Sequence, residues 1–150
     1  MTAVAQLPQR LPQATFDWVA QDAVHDVWET VREGLEEVSR YGDHWIPEDV
    51  YMALRQGQAN LHIARVDGCY AGFIVAMPSR AWDGPVLHVW AVYAVPGFPR
   101  LRRECFVKLR DFAADMHAKR ITFTSPRKGW EKLGRRFGFE PALTIFECEV

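Results

Sequence analysis

Residues Val86 to Val95, VLHVWAVYAV, restrict the architecture more than any other stretch, being apolar or aromatic throughout except for His88. Such a run fits a central strand buried on both faces. It continues through PGFPRLRR into FVKLRDFAADM, where Phe106, Leu109, Ala113 and Met116 recur at helical spacing and mark an amphipathic helix ending near His117. A strand that feeds a basic helix start is where an α/β domain usually keeps an anionic ligand, because the helix N-terminus offers unpaired N–H groups and positive dipole charge.

The chain of 150 residues is long enough to bury a self-sufficient core as one domain. Apolar residues at 49% and charged residues at 25% describe a folded globular protein and exclude general disorder. Cys69, Cys105 and Cys148 are odd in number, far apart and without C-x-x-C spacing, which fits reduced residues of a soluble, intracellular, cytoplasmic protein. No apolar run approaches the roughly 20 residues that span a bilayer, so no membrane is expected as a partner. The net charge of −1 argues against a general nucleic-acid binder, yet it hides an asymmetry. Residues 1–95 carry 6 Lys/Arg against 12 Asp/Glu, net −6, and residues 96–150 carry 12 against 7, net +5.

In chain order, residues 1–13 hold two prolines and three glutamines without a period and read as an extended N-terminal arm that orders against a partner. Residues 14–150 read as the folded domain. A short strand is expected around Ala14 to Val19, and Asp22 is placed to cap a helix whose apolar positions run from Val24 to Val38. Pro47 opens a second, short helix that Gly57 stops. LHIARV and CYAGFIVAM flank Asp67-Gly68, a hairpin signature, and Ser79 to Pro85 forms the turn into the long apolar strand. ITFTS, a helix from Gly129 to Phe137, and a last strand from Leu143 to Val150 complete the order. The result is an α/β (α+β) arrangement, a mixed, mostly antiparallel sheet of about five to seven strands with about four helices.

Three pieces of this order resemble the Gcn5-related N-acetyltransferase (GNAT) family over residues 14–150. IARVDGCYAGF (Ile63 to Phe73) is similar to the second and third strands, with Gly72 at the usual glycine; the strand ending in Val95 is similar to the fourth. KGWEKLGRRFGFEPA (Lys128 to Ala142) is similar to the final helix and its Gly-Phe ending, at Gly138 and Phe139. The resemblance implies a fold whose fourth and fifth strands splay so that acetyl-CoA lies in the cleft, its pyrophosphate at the start of the following helix. On the family pattern Gln/Arg-x-x-Gly-x-Gly/Ala, the matching residues are Arg100 to Cys105. Arg100 and the small Cys105 fit, whereas Arg103 stands at the central glycine, where it would either fill the pyrophosphate space or bind phosphate by charge. Val95, Arg100, Arg102, Arg103 and Cys105 are thus the candidate cofactor residues.

The family's leaving-group tyrosine is replaced by Gly134, and its strand-four glutamate is missing, since residues 86–95 contain no acid. His88 and Tyr93 are the candidates for proton transfer. Their opposite strand parity would put them on opposite faces of a regular strand, and for each a core residue with one satisfied hydrogen bond is the competing reading. Arg100, Arg102 and Arg103 are read as a phosphate cradle or as a solvated helix start. Cys105 beside basic residues is read as packing before nucleophile. His25, His44, His62 and His117 lack metal spacing, so no metal is expected. Trp45 and Trp82 lie in loop-like segments where aromatics can mark a binding surface.

The function implied is acyl-CoA-dependent N-acetylation of a small-molecule or protein amine, with acetyl-CoA as cofactor. The alternative is a catalytically inactive GNAT-like binding or structural protein, for example one associated with a phage virion and assembled through the N-terminal arm.

Overall fold

The computed structural model describes residues 13–150, so the N-terminal arm expected over residues 1–13 lies, but for its last residue, outside the described residues. Strands β1 (Ala14–Val19), β2 (Asn60–Val66), β3 (Cys69–Ala81), β4 (Gly84–Ala94) and β5 (Ile121–Thr122) lie side by side in chain order. All neighbours are antiparallel except β4 and β5, which run parallel. Helices α1 (Val24–Ser39) and α2 (Pro47–Arg55) join β1 to β2, α3 (Leu101–Asp115) joins β4 to β5, and α4 (Gly129–Arg136) follows. This is the mixed, mostly antiparallel sheet with four helices that the sequence predicts.

Alternation along the strands builds a core on each face. Leu61, Ile63, Phe73, Val75 and Ala91 meet Val31 and Leu35 of α1 and Val50 and Leu54 of α2. Ile74, Ala76, Leu87 and Val89 face the opposite way onto Leu101, Cys105 and Leu109 of α3. Asp67 (φ 50°) and Gly68 (φ 77°) supply the two left-handed residues that a tight β2–β3 turn needs.

Gly34 lets α1 lie directly on β4: a Cβ there would sit 2.5 Å from the Tyr93 ring and 2.7 Å from that of Phe73. Gly34→Ala is therefore expected to destabilise despite a gain of about 1 kcal/mol in helix propensity, because forcing a methyl into a packed contact costs about 1–3 kcal/mol. Urea denaturation should show a lower midpoint at unchanged slope.

Away from the β4–β5 opening, three boundaries differ from the sequence reading. Asp22 falls in a short 3-10 turn (Gln21–Ala23) and caps nothing, since α1 begins after Ala23 without a side-chain cap. The turn placed at Ser79 to Pro85 shrinks to Trp82-Asp83, because Ser79, Arg80 and Ala81 continue the ladder opposite Val86, Pro85 and Gly84. The last strand, Leu143 to Val150, does not form: that segment pairs with no strand, and Leu143 and Phe146 are 94% and 92% exposed. Its alternating pattern carries β propensity, but a strand needs a neighbour's N–H and C=O groups, and none among the described residues is offered to it.

Candidate active site

The ladder between β4 and β5 is two residue pairs long, Leu87 with Ile121 and His88 with Thr122. One end is pinned: Arg120 donates to both carboxylate oxygens of Asp83 at 2.7 and 3.0 Å, and Lys119 N–H donates to Pro85 O at 2.8 Å. Beyond Thr122 the strands part, so the five-residue strand expected over ITFTS stops after Ile121 and Thr122. Phe123 packs edge-on to Trp130 (4.9 Å between centroids) and Phe139 (5.0 Å), which draws its backbone away from β4. Pro126 then removes a backbone donor.

On the other side of the opening, β4 carries a bulge. Val75 pairs with Ala91 and Ala76 with Val89, leaving Trp90 as the extra residue. The bulge overturns the parity argument made from sequence. Met77, Val75 and Phe73 lie on one face and pair with His88, Ala91 and Tyr93, so His88 and Tyr93 share the face toward α1. The resulting pocket of about 540 Å³ is lined by β4 from His88 to Ala94, by Thr124 and Ser125, and by residues of α1, α3 and α4.

Within it, His88 Nδ1 lies 3.0 Å from Thr122 Oγ1, and burial lowers the ring's pKa below the usual 6.5, so the imidazole is held neutral. The pKa of the Tyr93 hydroxyl is raised, first by burial and then by the carboxylates of Glu37 and Glu33, so it stays a donor. Val95, which lies outside β4, donates its N–H to Ala71 O at 2.8 Å. That donor is committed to β3, and alternation turns the backbone groups of Val92 and Ala94 to the open edge instead.

At the start of α3, Leu101 and Glu104 N–H bond to Phe98 and Arg100 carbonyls, leaving Arg102 and Arg103 N–H with no acceptor outside the helix among the described residues. Arg102 lines the pocket with its guanidinium 5.9 Å from the Trp130 ring centroid. Arg103 is exposed and does not line the pocket. Arg100 is exposed at the helix N-cap position. Cys105 is fully buried under α3, and burial pushes its thiol up to about 12, so it packs the core and is no nucleophile.

Gly134 is buried against Phe139 and brings no hydroxyl to the pocket; Thr124 and Ser125 do. Trp45, read as a loop aromatic, stands edge-on to Trp90 at 6.0 Å and lines the pocket, whereas Trp82 is fully exposed at the β3–β4 turn. Glu37, Asp43, Ser125 and Arg127 entered no sequence reading as site residues, because only the tertiary approach of α1 and α4 to β4 brings them together. Asp43, His44 and Glu147 also place one ligand atom each within 4.8 Å of one another, all on exposed side chains.

No protein-family profile and no curated protein matches the sequence. Solved structures match its fold. A ribosomal-protein-alanine N-acetyltransferase from Brucella melitensis biovar Abortus 2308 superposes with a TM-score of 0.64 over 92% of this chain and 98% of that one, at 14% identity. The aminoglycoside N-acetyltransferase AAC(6')-Iy in complex with CoA superposes with a TM-score of 0.69 over 96% and 99%, at 16% identity. The chain has the GNAT fold. A possible acetyltransferase from Clostridium difficile 630 gives a TM-score of 0.66 over 91% and 97%, at 10% identity. In GNAT terms, the parted β4 and β5 are the splayed strands.

Proposed function

We propose that the protein is an acyl-CoA-dependent N-acetyltransferase. The observation that carries this reading is the wedge beside β4, open from Val89 onward and bordered by unpaired backbone groups, Arg102 and the start of α3. The GNAT folds of CoA-bound AAC(6')-Iy and of AAC(6')-Iy with a CoA–acetylneamine bisubstrate analogue support it as analogy.

The residues present fit the cofactor. The free N–H groups of Arg102 and Arg103 and the Arg102 guanidinium suit a diphosphate, and the open edge at Val92 and Ala94 suits an amide-bearing arm. Bound there, acetyl-CoA supplies an acyl group already activated as a thioester. An N–H on the open edge of β4 is placed to polarise a carbonyl. His88, neutral through burial, would accept the proton that an amine nitrogen gives up on taking the acyl group from sulfur. Thr124 and Ser125 offer hydroxyls to the departing sulfur.

Calorimetry with CoA and acetyl-CoA tests the reading. Saturable binding is expected, and Arg102→Ala should weaken it by roughly tenfold or more, as loss of a charge-assisted hydrogen bond does. Absence of heat and of a thermal shift at saturating cofactor would remove the enzyme reading and leave the non-catalytic GNAT-like alternative.

A further inference from the structure

The last residue pair before β4 and β5 part joins an imidazole to a hydroxyl. Parallel register sets His88 directly against Thr122. The pair before it, Leu87 and Ile121, packs toward α3, so alternation sends His88 and Thr122 to the face toward α1. His88 Nδ1 thereby meets Thr122 Oγ1 at 3.0 Å in a part-buried contact. Two features hold that oxygen in place. Thr122 is β-branched and stiff at χ1, and the chain leading into it is tied to β4 and its turn. Lys119 N–H donates to Pro85 O, Leu87 N–H donates to Arg120 O at 3.1 Å, and the Arg120 guanidinium holds Asp83.

A hydroxyl can donate or accept, so the direction of this bond decides what His88 can do. A neutral imidazole has one N–H. If Thr122 donated to Nδ1, the ring proton would sit on Nε2 and the only lone pair would be occupied. If Nδ1–H donates to Oγ1, the lone pair is on Nε2. That nitrogen has no hydrogen-bond partner among the described residues and is not sealed from solvent, and its ring lines the pocket. Only the second arrangement lets His88 take up a proton. The imidazolium then formed keeps Nδ1–H on Thr122 as a charge-assisted bond, stronger than the neutral one.

No charged group competes with Thr122 for the ring. Glu37 of α1, Asp43 of the following loop, Tyr93 of β4, Arg102 of α3 and Arg127 ahead of α4 line the same pocket, and β3 presents the uncharged Met77. Burial is the sole cause of the ring's lowered pKa, so the hydroxyl is its one specific partner among the described residues.

Resting on the acyltransfer reading, we propose that Thr122 is the positioning residue of this base: its Oγ1 accepts the Nδ1–H of His88, fixing the tautomer that leaves Nε2 free and holding the imidazolium formed when Nε2 takes up a proton.

Nitrogen-15 NMR of the full chain labelled at histidine reads tautomer and pKa together, with His88→Gln identifying the His88 signals. The wild-type ring is expected to be the Nδ1–H form above its pKa. Thr122→Val keeps the branched shape and removes the hydroxyl. His88 should then shift toward the Nε2–H form and titrate about one pH unit lower, the size of one lost hydrogen bond to a charged group. Thr122→Ser restores the oxygen and should return both readings to the wild-type values. A wild-type ring protonated at Nε2, a Val variant with unchanged tautomer or pKa, or a Ser variant that behaves like Val would each overturn the proposal, and the first of these needs no variant to fold. Failure of CoA to bind in calorimetry would instead overturn the acyltransfer reading beneath it, which the NMR measurement does not touch.

Discussion

Gly72→Ala is expected to lower the melting temperature by about 10 °C, corresponding to at least about 3 kcal/mol for a chain of this size. Gly72 faces β4 where β2 and β3 shift register: Ala64 pairs with Gly72 and Arg65 with Tyr70. A Cβ at that position would run into the main chain of β4, striking Tyr93 O and lying 3.0 Å from Tyr93 C and 3.1 Å from Ala94 Cα. Main chain cannot rotate aside as a side chain can, so the ladder that carries Tyr93 must open. Gly68 is the control. It also has a positive φ, but nothing lies within 4 Å of its Cβ position, so Gly68→Ala should cost only the backbone penalty of about 1–2 kcal/mol. Circular-dichroism melts of the two variants decide the matter, and equal losses would refute the close-contact explanation.

His88→Gln is expected to lower kcat by roughly 100-fold or more, the usual contribution of a positioned general base. Glutamine keeps a polar group near Thr122 but cannot take up a proton at neutral pH. The sign of the pH dependence follows from the ring's environment. Burial lowers the pKa of His88 from 6.5, so the base is neutral above that value and is lost only as the pH falls through its lowered pKa. The wild-type kcat profile should therefore carry an acid limb below 6.5 that the variant lacks. An identical limb in both proteins would assign the proton to another group.

Much of the architecture was legible in residue order. Asp67-Gly68 announced the β2–β3 hairpin because both positions take left-handed backbone, and the structure shows them there. Pro47 opened α2, where Ile46 N–H is accepted by Asp49 Oδ2 at 2.9 Å. The basic turn before α3 marked a helix start on which Arg102 faces the pocket and Arg103 does not. The separation of those two arginines was illegible, since it depends on which way each side chain leaves the first helical turn.

Local pattern settles whether a segment is strand or helix because periodicity and turn chemistry act over a few residues. On that basis the sequence determined the apolar strand from Val86, the hairpin before it, the helix after it and the uneven distribution of charge. Tertiary structure alone decided that Trp90 bulges and brings His88 and Tyr93 to one face, and that β5 stops after Thr122. It also decided that Val92 and Ala94 present the open edge, and that Leu143 to Val150 forms no strand. Those outcomes depend on register and on packing partners distant in the chain, where one extra residue in a ladder reverses every side chain beyond it.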